Sequence, residues 1–253
     1  MKIAVVTGAS SGIGREFVKQ MGHFYRDLDE IWVIARREHR LLELNQLSRV
    51  PIRILEGDLL EEEVYERLEK LLQEEAPDIR MLVNGAGFGK SGTVEEILKE
   101  DPKTQLEMIG LNCTALSRVT FCCLPCLSRG SRIIQMASAA AFSPQPAFAV
   151  YAATKAYVLS FSRSLGAELK SRGIYVTAVC PGPVDTEFFQ VSGQLENPLK
   201  KLVKVKAQGV VRKALLDSRR GKDISVYGLP MKCAHTASKL LPHRLILKLM
   251  NPG

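Results

Sequence analysis

Lys2-Ile3-Ala4-Val5-Val6-Thr7-Gly8-Ala9-Ser10-Ser11-Gly12-Ile13-Gly14 is the stretch on which the fold turns. It opens as a β-rich run and passes into a glycine turn, after which Phe17, Val18 and Met21 recur at helical spacing. Strand, glycine turn and helix, in that order, bring backbone N–H groups to the positive end of a helix. Without Cβ atoms at Gly8, Gly12 and Gly14 the turn can be tight, and a pyrophosphate can approach the backbone between Ser10, Ser11 and Ile13.

The alternation continues down the chain. Glu30 to Ala35 reads as a second strand, Glu38 to Leu47 as a helix, and Ile52 to Leu55 as a third strand ending at Gly57-Asp58. Leu60 to Leu72 is a charged amphipathic helix, and Ile79 to Val83 is a fourth strand entering Asn84-Gly85-Ala86-Gly87. Asp101-Pro102 opens a long helical pattern to about Leu127, and Arg132 to Met136 is a fifth strand leading to Ser138. The helix carrying Tyr151 and Lys155 runs to about Lys170, and Ile174 to Val179 is a sixth strand stopped by Pro181-Gly182-Pro183. A looser stretch precedes a helix over Val210 to Leu216 and a final strand over Ile224 to Tyr227. This order predicts an α/β fold, a doubly wound parallel sheet of about seven strands with helices on both faces. With no internal repeat and no linker, residues 1–253 are expected to form one domain, with 233–253 as a basic and apolar extension of it.

The 46% hydrophobic and 25% charged content is that of a globular protein, and no apolar run approaches the roughly 18 residues of a spanning helix. Met1 to Gly8 meets glycine too soon for a signal peptide, so a cytoplasmic protein is expected. The 6 cysteines show no disulfide framework, which fits a reducing compartment. Cys123-Leu124-Pro125-Cys126 lacks a second ligand pair and has apolar neighbours, so it reads as part of a buried helix, and no metal is expected. Charge is uneven: residues 199–253 hold 13 Lys and Arg against 2 Asp and Glu, while residues 1–198 hold 22 against 25. Anionic lipid, an anionic substrate or an acidic partner would each exploit the basic end, which also suits a solvated face; a nucleic-acid partner is not expected.

Tyr151 and Lys155 stand four residues apart, on one face of a helix. A cation about 4 Å from the phenol, at an effective dielectric near 20, contributes about 4 kcal/mol, enough to bring a pKa of about 10 roughly to neutrality. Tyr151 is therefore expected to act as a general acid or base. His23, His39, His235 and His243 lie outside every motif, and no Ser/His/Asp arrangement competes.

Together these motifs resemble the short-chain dehydrogenases/reductases, in their single-domain Rossmann branch, over residues 2 to about 228. Thr7-Gly8-x-x-x-Gly12-x-Gly14 resembles the family's cofactor motif, and Gly57-Asp58-Leu59 the position whose aspartate meets the adenine. Asn84-Gly85-Ala86-Gly87 fits its Asn-Asn-Ala-Gly motif except at Gly85, where the lost side chain predicts softer packing. Pro181-Gly182-x-x-x-Thr186, which includes Val184, resembles the segment that contacts the nicotinamide. Ser138 lies 13 residues before Tyr151, the family's usual spacing, and Asn112 falls at its structural-catalytic asparagine. The resemblance implies hydride transfer between a nicotinamide and a carbonyl or alcohol. Tyr151 would donate the proton, Ser138 hold the oxygen, Lys155 lower the tyrosine pKa and bind the ribose, and Asn112 support a water-linked relay.

Cofactor choice turns on the end of the second strand, where NAD enzymes place an acid that would repel a 2′-phosphate. Ala35 stands there, followed by Arg36 and Arg37, so NADP(H) is expected, with Arg36 on the phosphate and Arg37 or Arg15 assisting. Phe142, Phe148, Phe188 and Phe189 flank the catalytic motifs, as does a wider set including Val191 and Leu195, and predict an apolar pocket. The substrate is then a hydrophobic ketone or alcohol: a steroid, an acyl chain or an aromatic ketone. The run Leu240 to Met250 resembles the tails of hydroxysteroid and long-chain 3-ketoacyl reductases. It suits a peripheral membrane contact or a cover over the substrate mouth, as well as packing against its own core or a partner. The family implies a homodimer or homotetramer. The competing function is a non-catalytic NADP(H)-binding regulator on the same fold.

Overall fold

The computed structural model describes residues 1–188 and 205–250. Strands β1 (Lys2–Thr7), β2 (Glu30–Ala35), β3 (Ile52–Glu56), β4 (Asp78–Asn84), β5 (Arg132–Met136) and β6 (Tyr175–Val179) form along the expected runs. Two further strands, β7 (Val184–Asp185) and β8 (Val205–Lys206), pair as a separate parallel ribbon, and β9 (Ile224–Ser225) closes the main sheet. The main sheet has 7 strands in the order β3-β2-β1-β4-β5-β6-β9, every pair parallel. The order reverses between β1 and β4, and a crevice opens there at the strands' carboxyl ends.

Burial explains why these runs are strands. Ala4, Val6, Ile31, Val33, Met81 and Val83 pack into one core, whereas Ile3, Val5, Trp32, Ile34, Ile79 and Leu82 pack into the other. Successive residues thus feed opposite faces of a sheet covered on both sides. Each such side chain contributes about 1.5–3 kcal/mol on burial. The first core is completed by α1 (Gly12–Phe24), through Phe17, Val18 and Met21.

The helices depart from expectation in instructive places. After α2 (Glu38–Leu42) the chain tightens into a 3₁₀ turn instead of continuing to Leu47. The next helix, α3 (Glu63–Glu75), starts three residues late because the Asp58 carboxylate accepts the Leu60 N–H at 3.1 Å and holds a turn there. An unexpected α4 (Val94–Glu100) is started by a capping box, Thr93 with Glu96. The long helix is α5 (Thr104–Ile109), a π-helical turn over Gly110–Ala115, and α6 (Leu116–Cys123). The helical run Thr104–Cys126 is 23 residues long and holds an 18-residue stretch of mean hydropathy 1.2, so by length and composition it is long and apolar enough to cross a membrane, contrary to expectation. Its Ala115, Val119 and Cys123 are buried in the second core, so it serves as a core helix.

Helix α7 (Ala149–Glu168) carries the Tyr-Lys pair, and α8 (Ala207–Arg219) packs Val210, Val211, Ala214 and Leu215 on the first core. The last strand is shorter than expected, since Tyr227 leaves the sheet to pack against α8. Two helices then follow, α9 (Leu229–Leu240) and α10 (His243–Met250), and α9 has no buried residue.

Candidate active site

A cavity of about 910 Å³ runs from the glycine turn, across the carboxyl ends of the strands, to α9 and α10. At one end, Gly8 adopts φ +68°, and a Cβ there would sit 2.7 Å from the Ala86 nitrogen. Gly85 answers it: a Cβ at that position would lie 2.7 Å from the Thr7 carbonyl oxygen. The Thr7 hydroxyl also accepts N–H bonds from Gly85 at 3.1 Å and Ala86 at 3.2 Å. The expected softening at Gly85 is therefore corrected. This glycine is what lets the two loops close on each other, so the packing is tight.

The turn's Gly8, Ser10, Ser11, Gly12, Ile13 and Gly14 all line the cavity, as do Arg36, Arg37, Asp58, Leu59, Ala86, Gly87, Pro181, Gly182, Val184 and Thr186. Asn84 does not. It is buried in a polar knot, donating to Thr120 Oγ1 at 2.9 Å and Gln135 Oε1 at 3.0 Å, so its place is between β4, β5 and α6 rather than at a ligand.

Arg36 is largely exposed, with one guanidinium nitrogen 3.4 Å from Asp58 Oδ2. Arg15 turns away to Glu43 at 2.8 Å. Arg37 reaches Ser10 Oγ at 3.2 Å and Glu187 Oε2 at 2.9 Å, and Arg40 binds the other Glu187 oxygen. This pairing holds the Glu187 carboxyl below its ordinary pKa. Ser10, Arg37 and Arg40 thus form an anion cradle in which the carboxylate stands. Neither Arg40 nor Glu187 was singled out from the sequence; the i,i+3 spacing from Arg37 to Arg40 was the available signal for the former.

Tyr151 is buried on α7, its ring stacked on Phe148 at 4.3 Å between centroids and 5.5 Å from Phe188. Burial pushes its pKa up to about 12, while an interaction with the Ser138 side chain pulls the other way. Lys155 is equally buried and is pushed down to about 8, because an ammonium loses its hydration there. Its Nζ donates to the Met136 carbonyl at 2.8 Å and lies 5.6 Å from the centre of the Tyr151 ring. The expectation that Lys155 pulls the phenol toward neutrality is thus overturned in this conformation: desolvation wins, and the cation is engaged elsewhere.

Ser138 ends the β5 segment and caps a short 3₁₀ turn, its Oγ accepting the Ala140 N–H at 3.1 Å. Asn112, fully buried on the π-helical turn, does not line the cavity. Its amide donates to Phe88 O at 2.9 Å and Thr154 Oγ1 at 3.1 Å and accepts the Phe88 N–H at 3.0 Å. That side chain is committed to tying the loop after β4 to α7, so a relay would have to run through the main chain of the turn. A π turn interrupts the regular helical hydrogen-bond ladder and is found mostly at functional sites.

Toward the other end, Phe142, Phe148 and Phe188 line the cavity together with Met231, Ala237, Leu241 and Ile246 from the tail. Phe189, Val191 and Leu195 lie outside the described residues. Among the described residues no cluster of His, Cys, Asp or Glu side chains is placed to hold a metal ion. Cys123 is buried with its thiol pushed up, whereas Cys122 and Cys126 are only half-buried, and Cys126 sits on a 3₁₀ turn; the buried-helix expectation holds for Cys123 alone.

The short chain dehydrogenase family matches residues 2–197. An uncharacterised oxidoreductase of Staphylococcus epidermidis is 34% identical over 187 residues, covering 73% of this chain and 79% of that one. The very-long-chain 3-oxoacyl-CoA reductase of Anas platyrhynchos is 34% identical over 197 residues, 75% of this chain and 62% of the duck protein. A short-chain dehydrogenase from Sphingobium yanoikuyae, solved in complex with NADPH, superimposes with a TM-score of 0.79 at 27% identity, covering 98% and 96% of the two chains. The chain belongs to the short-chain dehydrogenase/reductase family and is an oxidoreductase with a Rossmann-type fold. A nicotinamide dinucleotide fits the cavity on its own geometry, through the glycine turn with no room for side chains and the anion cradle beside it. Bound there, it supplies the hydride.

Proposed function

We propose that the protein is an NADP(H)-dependent reductase of a hydrophobic carbonyl compound. The observation that carries this reading is Tyr151 beside Ser138 at the wall of a cavity that is cationic at one end and apolar at the other, where burial raises the phenol's pKa and favours its protonated form. Hydride arrival leaves negative charge on the substrate oxygen. In this reading Ser138 donates to that oxygen and Tyr151 protonates it. A phenol of pKa about 12 is a far stronger acid than an alcohol, so it can complete a reduction without prior activation. Alcohol oxidation would need the phenolate, which burial disfavours. The buried Lys155 ammonium adds positive charge beneath the site.

NADP(H) rather than NAD(H) is supported by the cradle of Ser10, Arg37 and Arg40, by exposed Arg36 at the same cavity, and by the NADPH bound in the Sphingobium relative. A substrate with an extended apolar body is supported by the walls that α9 and α10 contribute, and the duck relative's acyl substrate is of that kind. Exposed Leu240 and Leu245 beside Lys239, Arg244 and Lys248 would let the same two helices rest on an anionic membrane at the mouth of the cavity. Assembly as a dimer or tetramer would cover exposed Phe121 on α6 and Tyr157 on α7. A cytoplasmic location is proposed with these.

The test follows NADPH absorbance over a panel of steroid, acyl and aromatic ketones, with Tyr151→Phe alongside. Turnover that disappears in the variant is expected. Cofactor binding with silence in both directions across the panel would replace the enzyme by a cofactor-binding regulator.

A further inference from the structure

Glu187 stands where the proposed cofactor's own anion would stand. Its two carboxylate oxygens are divided between Arg37 and Arg40, and Arg37 is in turn steadied by Ser10 of the glycine turn. These are the cation and hydroxyl groups that a 2′-phosphate needs. The carboxylate arrives from the opposite lip of the cavity, on the segment that follows β7. That segment lies against the glycine turn, so that a Cβ on Gly12 would be 3.3 Å from the Thr186 side chain. Without a ligand, two guanidiniums and one carboxylate neutralise one another in part and bridge the lips. A phosphate carrying up to two negative charges competes for the same guanidiniums.

We propose that Glu187 is a specificity-determining residue, an internal competitor that occupies the 2′-phosphate cradle and must be displaced by NADP(H) but not by NAD(H). The proposal rests on the NADP(H) reading above. It makes the affinity for the phosphorylated cofactor weaker than the arginines alone would set, and leaves the unphosphorylated one largely untouched. The adjoining Phe188 packs near Tyr151, at 5.5 Å between ring centroids. Displacement of Glu187 therefore acts on the same short segment that covers the catalytic phenol.

The test is isothermal titration calorimetry of the whole chain and its Glu187→Gln variant with NADPH, NADH, 2′,5′-ADP and 5′-AMP. The variant keeps the shape of the side chain and removes its charge. The expected result is that NADPH and 2′,5′-ADP bind about three- to tenfold more tightly to the variant, while NADH and 5′-AMP change less than about twofold. An equal gain for all four ligands would overturn the proposal, because Glu187 would then only close the cleft. No gain for any, in a wild type that still prefers NADPH, would overturn it and leave the NADP(H) reading standing. A wild type that binds NADH as tightly as NADPH would remove both.

Discussion

The Lys155 ammonium is bound to the Met136 carbonyl at 2.8 Å and sits 5.6 Å from the centre of the Tyr151 ring. Two residues one helical turn apart thus share a face, yet burial moves their pKa values away from neutrality for the phenol, to about 12, and toward it for the amine, to about 8. The group that changes charge near physiological pH is the lysine. As pH rises through about 8 the ammonium is lost while the phenol keeps its proton. The kcat/KM for NADPH-driven carbonyl reduction should accordingly be level below pH 7 and fall on the alkaline side with an apparent pKa near 8. A profile level to pH 10 would show that Lys155 keeps its proton across that range and overturn the depressed pKa.

The same burial costs the fold stability. A lysine whose pKa drops from 10.5 to about 8 on folding opposes folding by about 3 kcal/mol at neutral pH. The penalty is fully present below pH 8, where both folded and unfolded lysines are charged. It is relieved between pH 8 and 10.5, where only the unfolded one binds the proton. Lys155→Met fills a similar volume without the charge, at the expense of the Met136 hydrogen bond. It should be more stable than wild type by about 1–3 kcal/mol at pH 7, with the gain shrinking toward pH 10, and it should be inactive. Denaturant unfolding at both pH values checks this, and an unstable variant would mean that the hydrogen bond outweighs desolvation.

Restoring the family's asparagine at Gly85 should do harm. A Cβ there would stand 2.7 Å from the Thr7 oxygen, and the Gly85 N–H is bound to the Thr7 hydroxyl. Gly85→Asn forces the loop after β4 away from β1, at a cost of about 1–3 kcal/mol. It should also weaken cofactor binding, because Ala86 and Gly87 move with it. Thermal unfolding and NADPH titration measure the two effects; a variant matching wild type in both would show that the loop is free to yield.

The sheet was legible because a strand buried on both faces leaves a run of apolar residues, and Lys2–Thr7, Glu30–Ala35 and Arg132–Met136 match their expected limits. Parts of the site were legible for a different reason: a glycine turn and a Tyr-Lys pair record local geometry in fixed spacings. What depends on distant segments was not legible. Arg37 and Arg40 meet Glu187 across 150 and 147 residues of chain, and nothing near Glu187 announces it. The Tyr151 pKa was not legible, because spacing gives proximity but not burial. Thr93-Val94-Glu95-Glu96 did carry a capping signal for α4 and was passed over. The tail helices offered least, since α9 has no fully buried residue and so leaves little core pattern in its sequence.

That last feature separates two roles for the tail. A helix needed for folding buries side chains; α9 has no fully buried one, with Leu229 at 75% and Leu240 at 77% exposure, and only Met231 packs, partly buried, against a core cluster. Yet Met231, Ala234, Ala237, Ser238 and Leu241 face the cavity, and Phe142 stacks with His235 at 4.5 Å between ring centroids. Apart from Met231, which also packs on the core, its contacts are with the place where substrate would lie. Ending the chain after Gly228 should leave stability within about 1 kcal/mol of wild type, since little apolar area is buried there, and should leave NADPH affinity unchanged. Apolar substrates should suffer: losing two or three side-chain contacts of about 0.8 kcal/mol each should raise KM roughly ten- to hundredfold for large ketones and little for small ones. If the shortened chain unfolds, α9 and α10 belong to the fold after all; if KM rises equally for large and small ketones, they act on the catalytic residues rather than on the body of the substrate.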